Sequence, residues 1–331
     1  VNGVFIIPTG LGCAIGGDAG DAVCSVNLIA SMCDRLIVNP NAVNASDINE
    51  MAGNCLYVEG SILDRFLAGE LGLKESRRND ILLAVNAPAS PHTVNSANAA
   101  RVALGVEIEI VELKEPLILK GWLEDDGTAG GLSTGVSALL QQVRRHEYDA
   151  LAVQTPIDVE NPVVEWYLKH GGVNPWGGIE ARVSRALARE LLKPVAHAPL
   201  ERDDGYFKDY LGVTDARLSA EMVSVSYIHS ILKGLARAPV IGDGLNADDF
   251  DFLVTPDGCF GPPHRACLER GIEVIVVEDN PTVLDRRFPR ECTRVRNYLE
   301  CAGYLACKRI GIGAEYVLSG DLGSAGSAGP E

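Results

Sequence analysis

Cys259 and His264 lie five residues apart in the segment TPDGCFGPPH, directly after the apolar run Phe252–Thr255. A cysteine at the carboxyl end of a buried strand, beside a helix that Pro262 and Pro263 open, is expected to have its thiol pushed toward thiolate by the positive helix end. His264 is placed to orient or deprotonate a substrate group. Asp257 opposes the effect, because a carboxylate beside a thiol disfavours its ionisation. Cys13, in a separate glycine-rich segment, is the candidate for a second thiol. The expectation is that Cys259 is a reactive thiolate at neutral pH and that its pocket binds an anionic group.

Three further segments carry acid, base or nucleophile candidates. PTGLGCAIGGDAGDA, from Pro8 to Ala22, follows a strand-like run and precedes a helical one. Its Gly10, Gly12, Gly16 and Gly17, with Asp18, suit close backbone approach to a phosphate or carboxylate. Counted from Gly10, the sixth place of a dinucleotide fingerprint is Ile15, and no Gly-Lys-Ser/Thr ending follows, so no nucleotide motif is present. DGTAGGLSTGVS, from Asp126 to Ser137, reads as a loop with Gly130 and Gly131 as N–H donors. In it Ser133 is a candidate nucleophile, and Ser133 or Thr134 a helix cap. NPWGGIE places Asn174 and Trp176 beside Glu180, a candidate acid or base with an indole available for stacking.

Other polar residues follow strand-like runs: Asn39, Asn41 and Asn44 after LIV, Glu59 after LYV, Thr155 after Ala150–Val153, His197 after PVA, and Glu278 and Asn280 after VIVV. Polar groups gathered at strand exits are the main argument for an enzyme, because open α/β sheets bind ligands there.

The elements that must position these residues alternate. Strand-like runs at Val4–Pro8, Arg35–Val38, Leu56–Glu59, Ile81–Val85, Val106–Leu113, Ala150–Val153, Phe252–Thr255 and Val274–Val277 are separated by helical patterns. Helices are expected at Ala19–Cys33, from Ser61 onward, and at Thr134–Arg145, Ile179–Leu192, Ala216–Leu235, Pro263–Arg270 and Cys292–Cys307. Such alternation predicts an α/β fold with a Rossmann-like, doubly wound, mainly parallel sheet. It is divided into an N-terminal α/β lobe (1–125), a C-terminal α/β lobe (126–318) with a cleft between them, and a disordered Gly/Ser/Ala-rich tail (319–331).

Composition narrows the function. The 331 residues are 47% apolar and 22% charged, a globular balance, with a net charge of −16. That charge repels nucleic acid and anionic membranes, so neither is expected as a partner. It leaves a small anionic metabolite, held in a locally positive pocket, as the expected partner, and a homo-oligomer is compatible with it. Apolar runs stop at strand length, short of the roughly 20 residues of a membrane span. The N-terminus has no basic stretch followed by an apolar core. Nine cysteines, an odd number without a Cys-x-x-Cys pair, predict free thiols in the cytoplasm and no metal site.

The segments PTGLGCAIGGDAGDA, LIVNPNAVNAS, LYVEGSILDRFLAGE, NPWGGIEA and TPDGCFGPP with VVEDNPTVL together resemble the family catalogued as domain of unknown function 3326. The resemblance runs from about Val4 to Tyr316 and implies no established reaction.

The first functional expectation is a cofactor-independent isomerase or lyase. It would act on a small carboxylate- or phosphate-bearing metabolite, using Cys259, Cys13, Glu180 and His264 for proton chemistry. Two other readings stay open. One is a hydrolase of an amide or cyclic amide with Ser133 or Cys259 as nucleophile, and the other a non-catalytic metabolite-binding protein.

Overall fold

Val4 and Ile6 join one hydrophobic core while Phe5 and Ile7 join another, so the first strand is buried on both faces. That is the environment of a parallel strand covered by helices on either side. The computed structural model describes residues 1–8, 10–17, 22–199 and 227–318. Asp18, the stretch 216–226 of the expected long helix and the tail 319–331 lie outside the described residues.

The chain begins β1 (Asn2–Phe5), α1 (Val23–Ala30), β2 (Arg35–Val38), β3 (Cys55–Tyr57), α2 (Gly60–Leu67), β4 (Leu73–Lys74), β5 (Ile81–Asn86), α3 (Pro91–Leu104) and β6 (Ile108–Leu113). It continues β7 (Ile118–Leu123), β8 (Ala129–Thr134), α4 (Val136–Val143), β9 (Ala150–Thr155), β10 (Ile157–Asp158), α5 (Asn161–His170), α6 (Gly177–Leu191) and β11 (Val195–Pro199). The remaining described elements are α7 (Tyr227–Leu235), β12 (Val240–Ile241), β13 (Phe252–Cys259), α8 (Pro262–Glu269), β14 (Glu273–Arg286), β15 (Thr293–Val295), α9 (Tyr298–Ile310) and α10 (Glu315–Leu318).

Six strands form one sheet in the order β15-β14-β13-β1-β2-β3, and every neighbouring pair in it is parallel. Helices α1 and α9 cover one face through Val26, Ile29, Cys301 and Leu305. Helices α2 and α8 cover the other through Ile62, Phe66 and Cys267. A second parallel sheet, β11-β9-β5-β6, lies between β3 and β13 in the chain. Its outer face packs on α3 and α7 through Ala97, Ala100, Ile228 and Leu232. Its inner face shares a core with the first sheet, in which Leu82, Leu151 and Val153 join Val4, Ile37, Phe66 and the α6 residues Ile179, Val183 and Leu187.

A three-stranded sheet, β10-β7-β8, and the antiparallel pair β12-β4 complete the described strands. The expected division at residue 125 falls in the turn between β7 and β8, and each of the four sheets takes strands from both sides of it. No helix among the described residues is long and apolar enough to cross a membrane.

Four local expectations are corrected. Gly130, Gly131, Ser133 and Thr134 form strand β8, not a loop, because they pair antiparallel with Trp122, Gly121, Leu119 and Ile118 on β7. The cap of α4 is therefore Gly135, at φ 93°, rather than Ser133 or Thr134. Helix α2 begins at Gly60, and Ser61 spends its hydroxyl on another element. The expected helix from Cys292 begins only at Tyr298, where the Asn297 side chain accepts the N–H groups of Leu299 and Glu300, and Thr293–Val295 is the edge strand β15.

Candidate functional site

The loop after β1 is anchored by amide side chains. Asn39 Oδ1 accepts the Ile7 N–H at 3.0 Å and its Nδ2 donates to Ile7 O at 2.8 Å, so the side chain adds one more rung between β1 and β2. Asn41 donates to Pro8 O, and Asn44 accepts from the N–H and hydroxyl of Ser46. Asn280, 1% exposed, binds both backbone groups of Ile15 at 2.9 Å and donates to the Tyr298 hydroxyl. Asn174 accepts the N–H groups of Trp176 and Gly177, and its own N–H donates to Gly10 O at 2.8 Å. These five asparagines, expected to bind a ligand, hold the backbone of the glycine loop and its neighbours instead. Gly12 is required there: at φ 53° a side chain would be strained, and its Cβ would lie 2.6 Å from Gly172 O.

Cys13 bridges to Thr282 on the extended end of β14, which brings it to the carboxyl edge of the first sheet beside β13. It is near enough to Cys259 and Tyr298 that a charge on it would raise both. The two candidate thiols therefore share one neighbourhood.

The expected thiolate is corrected, however. Cys259 is 5% exposed, its Sγ contacts Pro256 O at 3.1 Å, and burial pushes its thiol up to about 12. Desolvation of a charged sulfur outweighs the helix end. His264 is likewise not a free base. Its Nδ1 accepts the Gly261 N–H at 3.1 Å, its Nε2 lies 2.9 Å from the Thr255 hydroxyl, and burial pushes the imidazole down to about 4. With Phe260 and Phe288 packed on the ring, His264 serves as a neutral clamp on the start of α8.

Asp257 and Glu278 both engage Arg294 Nη1 at 3.0 Å, an ion-pair fork that ties β13, β14 and β15 together. Beside it, Asp257, Gly258, Thr282, Leu284, Arg287 and Arg294 line an open groove of about 410 Å³. Gly130 and Gly131 do not line this groove. Their lack of side chains lets Glu124 and α6 pack against β8, since a Cβ on Gly131 would fall 2.5 Å from the Ile179 Cβ. Ser133 pairs with Leu119 on β7, and Arg182 holds the Gly131 carbonyl on the same strand at 2.9 Å.

One expected residue gains partners that suit chemistry. Glu180, in the first turn of α6, accepts at 3.2 Å from His197 Nδ1, and His197 Nε2 lies 2.9 Å from the Thr155 hydroxyl. Thr155 and His197 come from the carboxyl halves of β9 and β11, adjacent parallel strands. Thr155 and the His197 side chain have no exposure, while the Glu180 side chain keeps 25%. The line thus runs from a buried hydroxyl through a buried imidazole to a carboxylate at the surface. A carboxylate only accepts, so Glu180 selects the Nδ1–H form of His197, and the Thr155 hydroxyl, able to donate or accept, holds the ring's orientation through Nε2. In the sequence Thr155 and His197 are only polar residues at strand ends. Their connection spans 42 positions, and no local pattern reports it. Trp176 lies one turn before Glu180 and meets Tyr167 edge-on at 5.8 Å.

Glu59 is 4% exposed at the start of α2, and burial pushes its carboxyl up to about 8. Among the described residues no group of three or more His, Cys, Asp and Glu side chains is arranged to hold a metal. All nine cysteines are free thiols.

Fold and site together define an α/β protein with two wholly parallel sheets, in which buried acid, imidazole and thiol groups lie on or just beyond the strands. The chain belongs to the family described as Protein of unknown function (DUF3326), which matches residues 2–318. It is similar to a protein of Synechococcus sp. described as an uncharacterized lipoprotein, with 31% identity over 348 positions, covering 97% of this chain and 94% of that one. No solved structure matches the chain.

Proposed function

We propose that the protein is an enzyme of proton chemistry on a small carboxylate- or phosphate-bearing metabolite, of isomerase or lyase type, with Glu180 as the acid–base group. The observation that carries this is the Thr155–His197–Glu180 line, which ends in a half-buried carboxylate held by an imidazole N–H. A base held in one orientation loses little freedom when it takes a proton in the transition state. His197 and Thr155 act through it as positioning residues.

The strand order supports the reading. We take β3-β2-β1-β13-β14-β15 as a Rossmann-like, doubly wound order, reversing between β1 and β13, with the second sheet inserted in one crossover as a second α/β lobe. Ligands of such sheets bind where the order reverses. The loop leaving β1 there touches the start of α6 through Gly10 and Asn174, three residues before Gly177. This contact supports assigning Glu180 to the crevice that such a topology favours.

Read in the opposite direction, the same line has the order of a hydrolase triad: carboxylate, imidazole, hydroxyl. The complete burial of Thr155 ranks that reading second. Nine free thiols favour the cytoplasm. The lipoprotein description of the Synechococcus relative makes a membrane-anchored form the competing arrangement.

The test works without a named substrate. The full chain is incubated in D2O with panels of small carboxylates and phosphate esters, and loss of C–H signal is followed by proton NMR. Wash-out from at least one compound, reduced at least ~100-fold by Glu180→Gln and partly by His197→Asn, is expected. Ester or amide cleavage without exchange would favour the hydrolase. Binding without either reaction would leave a metabolite-binding protein.

A further inference from the structure

Glu59 has a carboxyl oxygen without a partner. The residue holds the N-cap position of α2, yet its side chain makes no capping bond to the helix. The Tyr57 hydroxyl bonds the carboxyl group, while Oε1 has no hydrogen-bond partner among the described residues. No cation among them offsets its charge. A buried carboxyl in that position holds its proton, as the rise to about 8 records. A protonated acid is a hydrogen-bond donor, and its unused oxygen is where that O–H belongs.

Two more observations describe the surroundings of the group. Gly60, the next residue, borders open space among the described residues: a Cβ there would meet none of their atoms within 4 Å. Ser61 Oγ donates to Val195 O at 2.7 Å and accepts Val195 N–H at 3.2 Å. Glu59 precedes Ser61 by two residues and His197 follows Val195 by two, so the acid and the imidazole line flank the same hydrogen-bonded junction between α2 and β11. The positive end of α2 favours an anion over a cation in that space.

We propose that Glu59 presents a neutral carboxylic O–H, together with the N-terminal end of α2, to an anionic oxygen of the ligand at the seam between the two sheets. The assignment deepens the reading above by naming what meets the carboxylate or phosphate of the metabolite, and it rests on that reading for the ligand class. It also explains how a chain of net charge −16 tolerates an anion there, since the nearest acid carries no charge in this state.

The experiment follows the carboxyl carbons of the full chain, labelled with [5-13C]glutamate, as pH is varied, with Glu59 assigned by Glu59→Gln. The probes are inorganic phosphate, acetate and methylammonium. The expected result is one signal titrating far above the others. Saturating phosphate or acetate should move it upward by about one pH unit, a tenfold coupling between proton and anion, and methylammonium should leave it in place. Whichever of the two anions couples more strongly names the headgroup.

Glu59→Gln, which keeps a neutral N–H donor, should bind the anion within a few-fold of wild type. Glu59→Leu should weaken it at least tenfold, as should Gly60→Leu, which fills the open space. A Glu59 signal in the ordinary carboxylate range overturns the proposal. So does a signal that neither anion moves, or one that methylammonium moves downward, which would make Glu59 the counter-ion of an amine. Proton exchange at Glu180 is read separately, so loss of that activity reading leaves this titration interpretable, and the reverse holds too.

Discussion

Ser61 and Val195 are joined by two hydrogen bonds through one hydroxyl: Ser61 Oγ donates to the Val195 carbonyl and accepts the Val195 N–H. This buried pair fastens a helix of the first sheet to the edge strand of the second, and Glu59 and His197 lie on either side of it.

Ser61→Ala therefore leaves an N–H and a C=O of β11 unsatisfied in a buried place. A loss of roughly 1–3 kcal/mol is expected. Urea unfolding read by circular dichroism checks the magnitude. A change on the scale of an ordinary surface substitution, about 0.5 kcal/mol or less, would show that water replaces the hydroxyl and that the seam is looser than it looks.

Glu59 ties stability to pH. Its carboxyl moves from the ordinary 4.5 to about 8 on folding. Between those values the folded chain holds a proton that the unfolded chain has released, so stability falls as pH rises through this window and levels off above it. The full displacement corresponds to roughly 5 kcal/mol, an upper figure because water entry at high pH relieves part of it. Glu59→Gln should thus match wild type near the lower end of that window and be more stable above its upper end. Melting temperatures of both proteins across that range decide it, and parallel curves would mean that Glu59 ionises freely in the folded chain.

The cysteines should differ sharply in reactivity. Cys24 is exposed, whereas burial pushes Cys259 from 9.0 up to about 12. That displacement alone lowers the thiolate fraction on the order of 1,000-fold at neutral pH. Iodoacetamide labelling near neutral pH with peptide mapping should mark Cys24 early and Cys259 only after unfolding. Early labelling of Cys259 in the folded chain would restore it as a candidate nucleophile.

The sequence by itself determined the parts of this protein that depend on near neighbours. The buried runs around Val4, Ile37, Leu83, Val153, Val254 and Val276 are strands because apolar stretches of that length, bounded by Gly, Pro and Asn, have few other ways to be buried. The family motifs and the concentration of polar residues at strand exits, Glu59 among them, were legible for the same reason, as was Glu180 at a helix start.

Tertiary structure decided what each polar residue does, because hydrogen-bond partners and desolvation come from segments distant in sequence. Gly130 and Gly131 look like loop glycines until β7 pairs with them. Asn39 looks like a ligand-binding amide until Ile7 takes both of its polar ends. Cys259 is activated or silent according to whether water reaches it, and the packing around β13 excludes water. Glu180 acquires an imidazole only because β11, carrying His197, lies beside β9 in the second sheet, where Thr155 fixes the ring, an ordering that local periodicity does not encode.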